Sequence, residues 1–366
     1  MRRPGIQGRY GAPARTLVPL IMAALLLAAC DTAAPGSASP EPSASSSVAS
    51  EAPASSTSSA SPTAEPTPAD ATAAAGLAFV RAVDGLEQLF VVDPDGSERQ
   101  VSGLAAEHAS IGAAQPAWSP DRSMIAFGPP TTGSGLDPQL WIVNADGTNQ
   151  RPIATLGEWT EWSPDSTRLL WTDSVFTTDN TGEYARIWIA EVASGEVTQL
   201  APRGTVTHWL PDGEHISFLP PESEPHIMVL PVAGGEPQEL IVGVGPWWSP
   251  DGGQMLVERE NDIYLADADG GNERLLIEGA GSPAWSPDGT RVAFGDVDDA
   301  GTFVVGVADL DGTVLWTDVP GADASWSPDG TKLAVEVFDP DGPFTHILDA
   351  ETGAAIWKVE GRFPDW

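Results

Sequence analysis

The chain has a single cysteine in 366 residues, Cys30. It can form no internal disulfide and offers no cysteine-based metal site. Basic residues are scarce as well: 17 Lys and Arg stand against 52 Asp and Glu, a net charge of −35. Lys332 and Lys358 are its two lysines, and residues 1–74 hold four Arg and five acidic residues, so nearly all the charge falls on the residues beyond 74. A surface this acidic repels nucleic-acid phosphates and anionic headgroups, and suits solubility, cationic partners or a salty medium. No nucleic-acid partner is expected. Windows with a helical period are few, whereas Gly (38), Pro (34) and Trp (14) abound, which describes an all-β chain with many turns.

Signatures of catalysis are missing too. The histidines His108, His208, His215, His226 and His346 form no His-Glu-x-x-His motif and no close pair at metal-ligand spacing. There is no Gly-x-Ser-x-Gly elbow. Gly279-Ala280-Gly281 is no phosphate loop, because Pro283 comes next and no helix does. The expectation is a protein without cofactor, metal or catalytic residues.

Residues 1–30 begin with Arg2, Arg3, Arg9 and Arg15, continue through the apolar stretch Leu17 to Ala29 and end at Leu27-Ala28-Ala29-Cys30. A basic start, an apolar core too short to span a bilayer and small residues before a break predict a signal peptide. Residues 31–75 are almost all Ala, Ser, Pro, Thr and Glu with no aromatic residue, a composition that cannot build a core. They are expected to be a disordered tether, with a reach of roughly 35 to 40 Å.

From residue 76 onward the chain repeats itself. Trp118, Trp162, Trp209, Trp248, Trp285, Trp326 and Trp366 recur at a mean of about 41 residues, close to one four-stranded propeller blade. After each of the first six comes Ser/Leu-Pro-Asp and then a short apolar strand, as in Trp285-Ser286-Pro287-Asp288-Gly289-Thr290-Arg291-Val292-Ala293-Phe294. Third strands such as Gln88 to Val92 and Asp262 to Ala266 end in Asp-x-Asp-Gly-type turns, Asp93 to Gly96 and Asp267 to Gly270. The first unit, starting at Leu77, lacks a Trp strand, and Trp366 ends a Trp strand with nothing after it. The last strand therefore completes the first blade. Residues 76–366 are predicted to be a seven-bladed β-propeller of four-stranded antiparallel blades, closed by the C-terminal strand, with no exposed first or last edge and expected to be monomeric.

Local chemistry supports this. Pro presets φ, Asp bonds to its own backbone and Gly takes positive φ, so Pro-Asp-Gly joins adjacent antiparallel strands. One large Trp per blade fills the gap between neighbours. Asp93, Asp95, Asp267, Asp269, Asp309 and Asp311 suggest calcium at first sight, but position twelve is Leu104 counted from Asp93, where an EF-hand needs Glu. They read as hairpin turns.

The chain carries two resemblances. Leu27-Ala28-Ala29-Cys30 resembles the lipobox of bacterial lipoproteins, which implies that Cys30 is lipidated and anchors the protein to the extracytoplasmic face of a membrane, periplasmic or at the cell surface. The Trp-Ser-Pro-Asp-Gly-x-x-φ-Ala-Phe unit with Asp-x-Asp-Gly turns resembles the WD-like Pro-Asp repeat of TolB-like propellers, over residues 76–366. Such propellers occur in binding proteins, in sugar-acid lyases and in front of peptidase domains. No hydrolase domain is expected beyond the closing strand.

In a four-stranded meander the tight turns share one face and the irregular loops the other, and binding residues concentrate on loops held by a rigid scaffold. Candidates are the residues before each marker Trp: Glu107, His108, Glu158, Trp159, Glu161, Thr207, His208, Trp247, Asp323, Arg362 and Asp365. Trp159 and Trp247 are extra to the repeat and are better stacking candidates than the marker Trp set, with packing between blades as the alternative of greater weight. The segment Thr172 to Ala185, with Phe176, Asp179, Asn180 and Tyr184, is expected to be a loop folding over the mouth. The leading reading is a tethered module binding a protein, peptide or glycan. The alternatives are a metal-dependent lyase or hydrolase acting on saccharides, and an accessory subunit of an envelope complex that uses its acidic turn face.

Overall fold

The computed structural model describes residues 76–366 except 85, 94, 104–113, 129–138, 156–157, 177–182, 201–203, 222–224, 299 and 340–341. The predicted signal peptide, Cys30 and the tether lie outside the described residues, as do Glu107 and His108. The described residues form 28 strands, numbered β1 to β28 in chain order. They make seven four-stranded antiparallel sheets and no helix. Six sheets are plain meanders. The seventh is built from β28 (Arg362–Asp365), β1 (Leu77–Val83), β2 (Leu86–Val92) and β3 (Glu98–Gln100), in that order. The C-terminal strand thus completes the first blade.

The innermost strands are β28, β4 (Ala114–Trp118), β8 (Glu158–Trp162), β12 (Thr205–Trp209), β16 (Val244–Trp248), β20 (Gly281–Trp285) and β24 (Ala322–Trp326). Each touches the next around a closed ring, and β28 touches β4. Apolar side chains of adjacent sheets form the core between blades. Val91, Trp118, Ile125 and Val143 share one cluster across blades 1 and 2, and Val305, Trp326, Leu333 and Val335 share another across blades 6 and 7. The marker Trp residues are buried or half-buried there. Three donate their indole N–H to the preceding blade: Trp162 to the Ala117 carbonyl (2.9 Å), Trp285 to Trp247 (2.9 Å) and Trp326 to Ala284 (3.0 Å).

The Ser of the repeat has a role as definite as that of the Trp. Ser286 is fully buried; its hydroxyl donates to Asp288 (2.7 Å) and accepts the amide of Arg291 (2.9 Å). Asp288 in turn accepts the Thr290 amide at 3.1 Å. The same lock recurs at Ser119, Ser163, Ser249 and Ser327. In blade 4, Leu210 replaces the Ser, and Asp212 accepts the amides of Glu214 and His215 instead. The turns also pack on one another around the ring: a Cβ on Gly252 would lie 2.7 Å from Pro211 of the previous blade. The Asp-x-Asp-Gly turns close as hairpins, with Asp95 accepting both the amide and the hydroxyl of Ser97 and Gly96 at φ 84°.

One expectation is corrected. Thr172 to Ala185 is not a loop in the main: β9 (Arg168–Phe176) and β10 (Glu183–Glu191) stay in register out to the pair Phe176↔Glu183. Trp171, Thr172, Val175 and Phe176 are β-branched or aromatic and favour a pleated hairpin, so the connection shrinks to 177–182, outside the described residues.

Candidate functional site

A β-bulge at one position of every inner strand sets the geometry around the axis. Ala322 pairs with Glu336 and Ser325 with Ala334, three residues against two, and the same slip occurs in all seven blades. Extra residues in such bulges re-aim side chains. The bulge residues Gly245, Ser282, Asp323 and Phe363 take positive φ (113°, 50°, 51° and 51°). Because each inner strand enters from the loop face and leaves at the Pro-Asp turn, residues at and just before the bulge sit at the loop-face end of the axis.

Two groups of side chains form there. The first joins blades 7 and 1. The Arg362 guanidinium lies 3.4 Å from Glu336 and 3.8 Å from Glu87, and its charge is also felt by Asp323. Glu336 on β25 (Lys332–Asp339) is 1% exposed, and accepts the backbone amide of Phe363 at 2.9 Å. Burial raises the pKa of Glu336 against the amide and the guanidinium, and the nearby charge of Asp323 raises it further. Burial likewise raises Glu87 and Asp323, with Arg362 opposing in both. Asp323 keeps much of its surface open to solvent while protein crowds its carboxyl group. Three carboxylates therefore crowd one cation, and the group holds protons more readily than free carboxylates do.

The second group runs across blades 3, 4 and 5. Glu161 Oε2 lies 3.1 Å from Nδ1 of His208, and its Oε1 accepts the Trp209 amide at 3.3 Å. A carboxylate only accepts, so Nδ1 carries the proton of this contact. The His208 and Trp247 rings stand 5.9 Å apart at 51°. Trp247 is half-buried; it packs on the core of blades 5 and 6, and a Cβ on Gly245 would come within 2.7 Å of its ring. Much of that indole is packing.

Asp365 belongs to neither group. Its carboxylate accepts the Trp118 amide of blade 2 at 2.8 Å and lies 3.4 Å from the Ser325 hydroxyl. Burial raises its pKa, with the Trp118 amide and the Arg122 charge opposing. It clasps blades together. Glu158 and Trp159 lie on β8, but their side chains, like that of Thr207, fall outside the described residues. Glu87 and Glu336 were not among the sequence candidates: they sit on third and second strands, where a search confined to residues preceding the marker Trp does not look. Their only sequence signal is a charged residue at an apolar position of a strand, as in Lys332-Leu-Ala-Val-Glu336-Val337. Among the described residues no three His, Cys, Asp or Glu side chains converge to hold a metal ion.

No protein-family model matches this chain, and no curated protein sequence does. Solved structures do. TolB from Acinetobacter baumannii superposes with a TM-score of 0.51 at 18% identity, over 80% of this chain and 66% of that one; the chain thus spans just under two thirds of that protein. An oligogalacturonate lyase in complex with manganese gives 0.56 at 14% identity, over 78% of this chain and 85% of its own. Hydrazine synthase from Kuenenia stuttgartiensis gives 0.50 at 14%, over 68% and 87%. At these identities the likeness is one of architecture, and by architecture the chain is a TolB-like β-propeller.

Proposed function

We propose that this protein is a membrane-tethered, extracytoplasmic binding lipoprotein that recognises a protein, peptide or glycan through the loop face of its propeller, without catalysing a reaction. The observation that carries this reading is the group Glu87, Asp323, Glu336 and Arg362 at the loop-face end of the axis. Crowding three carboxylates around one guanidinium in partly dry surroundings costs stability, and perturbed ionisable groups in a concave mouth are common at functional sites. The turn face is built differently, from aspartates committed to their own turns. A TolB-like propeller suits a scaffold or binding role, although neighbours of the same fold include a lyase.

Chemical crosslinking in envelope extracts tests the site. Wild-type protein should capture a partner that the Glu161→Ala/Trp247→Ala/Asp323→Ala variant captures several-fold less, while a turn-face control, Asp269→Ala/Asp311→Ala, should match wild type. Equal capture by all three removes the site assignment, and loss in the control alone transfers it to the turn face. Anchoring is tested separately: Cys30→Ser should move the protein from the membrane fraction to the soluble one.

A further inference from the structure

The ring closes through β28, with Phe363 packed on the core shared by blades 1 and 2 and Trp366 on the core shared by blades 7 and 1. Its bulged pairing with β1 comprises two register pairs, Ala78↔Asp365 and Val80↔Arg362. Two carboxylates, Glu336 and Asp365, add polar ties on either side of the seam. Glu336 accepts the Phe363 amide and pairs with Arg362 on the blade 7 side. Asp365 accepts the Trp118 amide on the blade 2 side. Ser325 accepts the amide of Trp366 (3.2 Å), and Thr345 donates to the Gly361 carbonyl (3.2 Å). The other inner junctions that use a carboxylate do so with a wetter one: the Glu161 side chain is 37% exposed, against 1% for Glu336, and Glu258, which accepts the Ser282 amide, is half-buried.

We propose that the seam closed by Arg362–Asp365 is a proton-sensitive joint: Glu336 and Asp365 hold it shut best when protonated, and it loosens locally as they ionise, while the other blade junctions respond less. The charged groups facing Glu336 are Arg362 and Asp323, with Glu87 across the guanidinium; Asp365 faces Arg122. A single guanidinium does not balance Glu87, Asp323 and Glu336, and Arg122 is the one cation beside Asp365 among the described residues. Opening the seam hydrates all of these carboxylates, so the open form is the better acid, and rising pH favours it. The sign follows from their raised pKa values: the joint is tightest near the ordinary carboxylate range and weakens above it. Release would free the inner, axis-facing edge of β1 and move Arg362, so the shape of the loop-face mouth would vary with pH.

Hydrogen exchange with mass spectrometry on the full-length protein, from about pH 4 to about pH 8 and corrected for intrinsic rates, tests this. Amides of 362–366, 77–80 and Trp118 should lose protection with rising pH by up to about tenfold per pH unit for each linked proton, while β13 and β14 (His215–Leu219, His226–Pro231) hold steady. Glu336→Gln and Asp365→Asn, made singly and together, should flatten that slope. A seam whose protection is flat with pH in wild type, or falls in step with β13 and β14, overturns the proposal whether or not the variants fold. A slope unchanged in folded variants overturns it too.

Discussion

The hydroxyl of Ser286 bonds in both directions at once, to the turn aspartate and to the first amide of the next strand. Since it is fully buried, Ser286→Ala strands that amide and takes one donor from Asp288, and should lower the unfolding free energy by about 1–3 kcal/mol in urea titration. Thr290→Val, which removes only an exposed hydroxyl's bond to Asp288 (2.8 Å), should cost less, about 0.5–1 kcal/mol. Gly321 is another residue whose work is local. It enters β24 at φ 151°, where a Cβ would sit 2.9 Å from the Glu336 carbonyl and overlap Val335; Gly243 and Gly361 enter their blades the same way. Gly321→Ala should destabilise by about 1–3 kcal/mol in the same assay. The Ser stands in the repeat for anyone to read, but that its side chain is buried and doubly bonded depends on the turn folding back over it. Nothing in the sequence marks Gly321, because its neighbour Val335 is 14 positions away and meets it only across the bulge.

At the scale of the strand and the blade, most of the plan was legible. The marker Trp, seven times over, and the Pro-Asp turn after the first six carry the blade count, and the orphan Trp366 carries the closure, because each is a local signal. The bulge was not legible, being a mismatch between two strands rather than a property of either. Nor were the contacts between blades: Arg168 and Arg291 each reach across to cover the next marker Trp (4.7 Å to Trp209, 5.1 Å to Trp326) and donate to the next turn carbonyl, at Gly213 and Gly330. Removing residues 361–366 takes away the fourth strand of blade 1, exposes the edge of β1 and leaves Glu336 without Phe363 and Arg362. The truncated protein should lose its cooperative thermal transition and aggregate on size-exclusion chromatography. A sharp, monomeric melt at the wild-type temperature would show that closure contributes little.

Charge dominates the molecule as a whole, and two populations of carboxyl groups pull its stability in opposite directions. Asp288 is lowered by its bond from Ser286 and those from Thr290, and Asp329, against partial burial, is taken down to about 2 by Ser327 and Thr331. Their folded values lie below the unfolded ones, so their contribution is present above about pH 4 and is lost as pH falls toward about 2. Glu87, Asp323, Glu336 and Asp365 are raised by burial, so they favour the folded state as pH falls from neutral toward the ordinary carboxylate range. The net charge of −35 adds self-repulsion in the same direction. The thermal midpoint should therefore rise from about pH 8 to about pH 5 and drop below about pH 4. Added salt should raise it more at about pH 8 than at about pH 5, since screening matters most where charge is greatest.

The candidate site was half legible. Glu161, His208 and Trp247 were found from their place before the marker Trp, and the structure brings them into contact across three blades; Asp323 and Arg362 were found likewise, without Glu87 and Glu336 beside them. The sequence alone determined the architecture, because a propeller is specified by local periodic signals: the turn residues, the strand alternation and one large aromatic per blade. Only the tertiary structure decided which charged residues meet, for Arg362 and Glu87 are 275 positions apart and come together because the ring closes on itself. It also decided that Asp365 is a clasp rather than a wall of the site, since the carboxylate finds an unpaired amide on the neighbouring blade, a partner that exists only once two blades stand side by side.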